Sequence, residues 1–168
     1  ENYRNSIRHY RTARELGVES TDLLINLGLA LFSDGLDNEG MQMLQQAADA
    51  DSTSADACYY LALGYSRQGE TQLELRQYEL ALSRNPSHME TLLNYGTRNL
   101  EQRNFAAAEE LFSQALRTDP TQARAWRGIG IVMYAQNNID TAVKSFRTAL
   151  QCDPSDGKSK RYLQMISK

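Results

Sequence analysis

Few side chains in this sequence stand where they could do covalent chemistry. His9 and His88 are the only histidines, and neither has a His, a Cys or a suitable carboxylate four residues away. A zinc site needs about four ligands at compatible spacing, and no such cluster is present. Cys58 and Cys152 are too few for a disulfide framework and read as small buried hydrophobes. The patterns G-x-x-x-x-G-K-[ST], G-x-G-x-x-G after a strand and G-x-S-x-G are all missing. Gly128, Ile129 and Gly130 lie inside a helical pattern, where small residues serve packing rather than phosphate binding. Glu109 and Glu110 are adjacent, so on a helix they diverge by about 100° and cannot act as an acid–base pair. The expectation is a chain with no catalytic, metal or cofactor site.

The elements that could position a non-covalent site are helices. The 168 residues are 41% hydrophobic and 23% charged, an ordinary globular composition for one domain with a sizeable core. Ala, Leu, Gln, Glu and Arg dominate, and alternating β-branched runs are missing, so the chain is expected to be all-α. No uninterrupted run of about 18 apolar residues is present, so no membrane insertion is expected. The chain opens on Glu1 without a basic-then-apolar leader and reads as a piece cut from something longer. Free thiols lean toward a reducing, cytoplasmic compartment, with the periplasm left open. The net charge of −3 conceals a gradient. Residues 21–56 hold seven acidic and no basic residues, while residues 123–168 hold eight basic and three acidic. Lys158, Lys160, Arg161 and Tyr162 could touch nucleic acid, but overall acidity and the absence of an RNA module argue against it.

A fixed period organises these helices. Pro86, Pro120 and Pro154 are 34 residues apart, closing the near-identical phrases ALSRNP, ALRTDP and ALQCDP. With Pro at position 32, position 8 reads Gly28, Ala62, Gly96, Gly130, and position 27 reads Ala47, Ala81, Ala115, Ala149. Position 24 reads Leu44, Tyr78, Phe112, Phe146. Apolar positions 4, 7, 8 and 11, then 20, 24, 27 and 28, recur at helical spacing and predict two amphipathic helices per unit. Small residues at 8 and 20 let the helices approach closely. The turn falls near position 15, where Gly35 and Gly69 permit positive φ, Asn137 tolerates it and Arg103 is a poorer fit. Each Pro biases Asn85, Asp119 or Asp153 away from helix, and Ser87, Thr121 and Ser155 are expected to cap the next one. Ser52 replaces the first Pro, so that boundary is expected to be softer. Glu74 stands at position 20 where a small residue belongs, and its stem is expected along Ala62 with the carboxylate reaching water.

These columns resemble the tetratricopeptide repeat, most closely over residues 123–156. The resemblance covers essentially the whole chain. It implies one array over 1–168, a right-handed superhelical solenoid of stacked helix-turn-helix hairpins. Full repeats are expected at 21–54, 55–88, 89–122 and 123–156. Residues 1–16 fit the second helix of a truncated repeat, and 157–168 a capping helix. The family further implies that first helices line a concave groove that binds a protein or peptide partner through positions 2, 5, 6, 9, 12 and 13. Carried over, these give Ile25, Asn26, Leu29 and Phe32, then Tyr59, Tyr60, Leu63 and Arg67. The later units give Glu90, Leu93, Asn94 and Thr97, then Arg124, Arg127, Ile131 and Tyr134. Leu29, Leu63 and Ile131 could equally fill space between helices. Tyr59, Tyr60, Arg124 and Arg127 are expected to be exposed, because such residues supply rigid apolar area and bidentate carboxylate contacts.

The leading expectation is therefore a non-catalytic interaction scaffold, with apolar anchors meeting the Tyr/Leu region and an acidic segment meeting Arg124 and Arg127. The carboxylate-holding co-chaperone type needs basic residues and asparagines that Tyr59, Leu63 and Gly128 replace, so that clamp is not supported. A second reading is head-to-tail self-assembly, the acidic 21–56 end meeting the basic 123–168 end. A third is the recognition arm of a larger enzyme or of a secretion or pilus machine. The Asn ladder of some such arrays is interrupted here by Tyr60 and Gly128. The array is expected to be a monomer or weakly self-associating.

Overall fold

The computed structural model describes residues 2–167, so Glu1 and Lys168, the outermost residues of the two expected terminal helices, lie outside it. Ten helices and no strand are found among the described residues. Contacts divide the chain into two compact units that meet in sequence at Pro86 and Ser87. The first unit holds α1 (Asn2–Glu15), α2 (Thr21–Ser33), α3 (Asp37–Ala50), α4 (Ala55–Gln68) and α5 (Thr71–Arg84). The second holds α6 (Met89–Glu101), α7 (Phe105–Thr118), α8 (Ala123–Ala135), α9 (Ile139–Cys152) and α10 (Gly157–Ile166). In each unit, consecutive helices pack as hairpins and each hairpin's second helix packs on the helix that follows within its unit.

Every hairpin turns the same way. Gly35, Gly69, Arg103 and Asn137, all at position 15, have φ of 84°, 78°, 62° and 63°. In each turn the next amide reaches back five residues, as from Leu36 to Leu31 and from Asn104 to Asn99, which closes the helix end. Arg103 thus adopts the left-handed backbone that its side chain disfavours.

The junctions between repeats differ from expectation. Thr121 and Ser155 do not cap α8 and α10. Their hydroxyls and amides instead donate to Asp119 Oδ1 (2.7 and 2.9 Å) and Asp153 Oδ1 (2.6 and 2.9 Å). Thr53 does the same to Asp51, at 2.7 and 2.8 Å. The N-cap falls one residue later than expected, at His88, Gln122 and Asp156, and the equivalent residue Ser54 caps α4. Asp51 has the same extended dihedrals as Asn85, Asp119 and Asp153 although Ser52 follows it. The side-chain clasp therefore gives that junction, without a proline, the same backbone as the others. These hydrogen bonds, hydroxyl first and amide second, hold the Asp51, Asp119 and Asp153 carboxyls below the ordinary range.

The core repeats one layer. Leu44, Tyr78, Phe112 and Phe146 at position 24 are at most 2% exposed, and the alanines at position 27 are fully buried. In the second unit the Phe112 ring lies between two glycines. A Cβ on Gly96 would come 2.8 Å from it, and one on Gly128 would come 2.5 Å from it. Large-on-small packing of this kind draws α6 and α8 onto α7. Glu74 departs from expectation, because it is only 2% exposed and its carboxylate does not reach water.

Candidate functional site

In the first unit the candidate face is carried by α2 and α4. Ile25 is buried in a cluster with Phe32, Leu44, Ala57 and Leu61, on which Leu29 and Tyr60 pack while partly exposed. Asn26 is exposed and Leu63 half-buried. Tyr59 corrects the expectation of an exposed ring, being only 8% exposed, with its ring centre 5.0 Å from that of Tyr60 in a T-shaped pair and 6.4 Å from that of Tyr78. Arg67 pairs with Asp37 (2.9 Å) and lies over the Phe32 ring at 5.4 Å. What opens to solvent is a shallow depression of about 250 Å³ lined by Asp22, Ile25, Asn26, Asp56 and Tyr60.

The second unit builds a different surface on α6, α8 and α10. A groove of about 270 Å³ is floored by Gly128 and Phe112, with Leu93, Ile131 and Tyr162 as apolar walls. Leu93 itself is buried at 3%, and Ile131 is partly exposed. Thr97 lines the groove while donating to the Leu93 carbonyl at 2.7 Å. Arg124 is exposed and donates to Asn94 Oδ1 at 2.8 Å, which aims the guanidinium along the groove wall. Lys158, exposed at the start of α10, adds a second cation. Glu101, on the rim, accepts from Arg98 at 3.1 Å.

Arg127 is not the free cation its column suggested. It pairs with Asp156 at 2.7 Å, and that carboxylate is only 3% exposed. Asp156 also accepts from the Ser159 hydroxyl (2.7 Å) and the Lys158 amide (3.2 Å), so it caps α10. Burial pushes the Asp156 carboxyl up, but Ser159, the Arg127 guanidinium and the Lys158 amide outweigh it and hold the carboxyl below its ordinary range. Tyr134 is likewise turned to α10, its ring edge-on to Tyr162 at 5.7 Å, while Tyr162 stacks on Phe146 at 4.8 Å. Both residues therefore fix α10 in place as one wall of the groove.

Lys158 and Tyr162 were missed as groove residues. The signal was available, because α10 continues the 34-residue columns and places them at positions 2 and 6, equivalent to Arg124 and Gly128. Elsewhere, Cys58 is engaged in packing. Burial pushes the Cys58 thiol up, and Arg84 donates to its Sγ and to the Ser54 carbonyl. Among the described residues no three His, Cys, Asp or Glu side chains gather to hold a metal ion, and no helix is long and apolar enough to cross a membrane.

Comparison with known proteins follows the same repeat pattern. The tetratricopeptide repeat profile matches residues 59–122 and 93–157, together more than half the chain. The type IV pilus assembly protein PilF of Pseudomonas aeruginosa is 28% identical over 116 residues, spanning 68% of this chain and 46% of that protein. The chain spans less than half the length of the curated relatives it matches. Among solved structures, MamA superposes with a TM-score of 0.78 at 24% identity, covering 93% of this chain and 91% of that one. YrrB, described as a repeat protein of this family with an unusual peptide-binding site, superposes at 0.76 with 18% identity, covering 97% and 84%. The fold class is thus the all-α solenoid of stacked helical hairpins.

Proposed function

The chain belongs to the tetratricopeptide repeat family, and on that premise we propose that it is a non-catalytic scaffold holding a segment of a partner protein against its first helices. The observation that carries this reading is the pair Arg124 and Lys158 beside the apolar walls of Leu93, Ile131 and Tyr162. Among the described residues neither cation is paired with a carboxylate. A partner segment with an acidic side chain a few residues from an apolar anchor satisfies both features, as cation and apolar wall are then desolvated together. The acidic end meets Arg124 and Lys158, because Arg127 is committed to Asp156. The same proposal takes residues 1–168 as one array, from the half-repeat at 1–16 to the last helix at 157–168. Similarity to a protein named for pilus assembly supports one setting, an interaction module within such an assembly machine.

Fluorescence anisotropy with a peptide array of acidic-apolar segments tests the reading. Binding should weaken about tenfold for Arg124→Glu or Lys158→Glu, and about as much for Ile131→Arg, with steep salt dependence for the charged pair. Equal capture by wild type and all three variants would remove the groove from the function.

A further inference from the structure

Position 2 of the first helices carries opposite charges in two pairs of neighbouring helices. Asp22 on α2 and Asp56 on α4 are exposed beside the depression that Ile25, Asn26 and Tyr60 complete. Arg124 on α8 and Lys158 on α10 are exposed beside the groove floored by Gly128 and Phe112. Within each pair the residues are 34 apart, one repeat, so the two carboxylates and the two cations share one register. Asp56 also stands one helical turn before Tyr60. That is an acidic side chain near an apolar anchor, the chemistry the groove is proposed to accept, and the inference rests on that reading.

Register decides how these two faces, on different copies of the chain, can meet. With their helices running the same way, the order of repeats reverses between them, because each facing surface is seen from the opposite side. The helix α4 of one copy then lies over α8 of another, and α2 over α10. Asp56 comes to Arg124 and Asp22 to Lys158, so both cations find a carboxylate. One turn on, Tyr60 comes to Gly128, which has no side chain of its own, and Leu63 comes to Ile131. Tyr60, Leu63 and Ile131 are partly exposed, so both faces have apolar area to cover. Turned end for end, the faces would bring the cations toward Arg67 at position 13 and lose both ion pairs. We propose that the groove of the second unit takes the α2–α4 face of a second copy, so that the protein occludes its own partner site by self-association. The contact is heterologous, the first unit of one copy on the second unit of the other.

Sedimentation velocity of the full chain over a wide concentration range, at low and high salt, tests it. The average mass should rise above that of the monomer with concentration at low salt and fall back at high salt. Asp22→Lys with Asp56→Lys should weaken association about tenfold or more, and so should Arg124→Glu with Lys158→Glu. Mixing these two variants should restore a one-to-one complex, because each brings the face that the other lacks. All four substitutions in one chain should restore self-association. An acidic-apolar peptide captured on the array should dissolve the association of the wild type. A monomer at the highest concentration in low salt, as a groove reserved for other proteins would give, overturns the proposal. So does an association that either double variant or the peptide leaves intact. If Arg124-dependent capture of peptides persists in that case, the groove reading stands and only the self-contact falls. If Arg124→Glu leaves peptide capture unchanged as well, the groove reading falls with it.

Discussion

The two units solve the same packing layer from opposite sides. In the first, Leu44 on α3 leaves room for Tyr60 on α4, and the tyrosine ring fills the candidate face. In the second, the Phe112 ring comes from α7 and meets Gly128 on α8, so the face is left hollow and the ring forms its floor. In these two layers one ring, Tyr60 or Phe112, spans position 24 and the position 6 that faces it, and the helix that supplies that ring decides whether the layer is left hollow. The charge at position 2 changes along the chain, from Asp22, Asp56 and Glu90 to Arg124 and Lys158. This column therefore follows the acidic-to-basic gradient of the sequence.

Copying the first unit into the second should break it. Gly128→Tyr drives a ring into Phe112, which Gly96 boxes from behind, and should cost about 3 kcal/mol in urea unfolding. Adding Phe112→Leu, the first unit's solution, should recover a substantial part of that loss. Strictly additive costs would show that Phe112 is not the obstacle. Next in size, Arg127→Ala strands the buried Asp156 carboxylate and should cost about 2 kcal/mol, allowing for the partial exposure of Arg127. Hydrogen exchange should accelerate in α10 first, and uniform acceleration across the unit would refute the assignment.

The turns sharpen the contrast in the opposite direction. The first unit has Gly35 and Gly69 where the second has Arg103 and Asn137. Arg103→Gly should stabilise the second unit by about 0.5–1 kcal/mol, and Asn137→Gly by less, because asparagine tolerates positive φ better. A lower melting temperature for Arg103→Gly would mean that its stacking over Phe105, at 5.8 Å, outweighs the backbone strain. The smallest effect concerns acid. Asp51, Asp119 and Asp153 have lowered folded pKa values, so their contribution is complete above the ordinary value of 3.8 and is lost as pH falls through the folded values. Melting temperature should decline below about pH 4, and Thr121→Val or Ser155→Ala should flatten that decline.

Much of the fold was legible because spacing fixes it. The 34-residue columns placed the hairpins, the small residues at position 8 and the left-handed position 15, since each reflects backbone geometry that tolerates few residue types. The site was less legible because column membership does not say which contact a long side chain chooses. Arg124 and Arg127 look equivalent in sequence, yet only Arg127 has a buried carboxylate 29 residues on to meet. Tyr59 and Tyr60 are neighbours, and the turn of one helix step buries the first and half-exposes the second. Thr121 and Ser155 read as caps because both roles need a hydroxyl after a proline, and an aspartate two residues earlier claims it first.

The bond between Arg127 and Asp156 makes the final helix more than an end-piece. Through it, α10 forms one bank of the second unit's groove and supplies Lys158 opposite Arg124. A version of this protein trimmed after Pro154 would still be a stack of hairpins, but its groove would have lost a bank and become an open ledge.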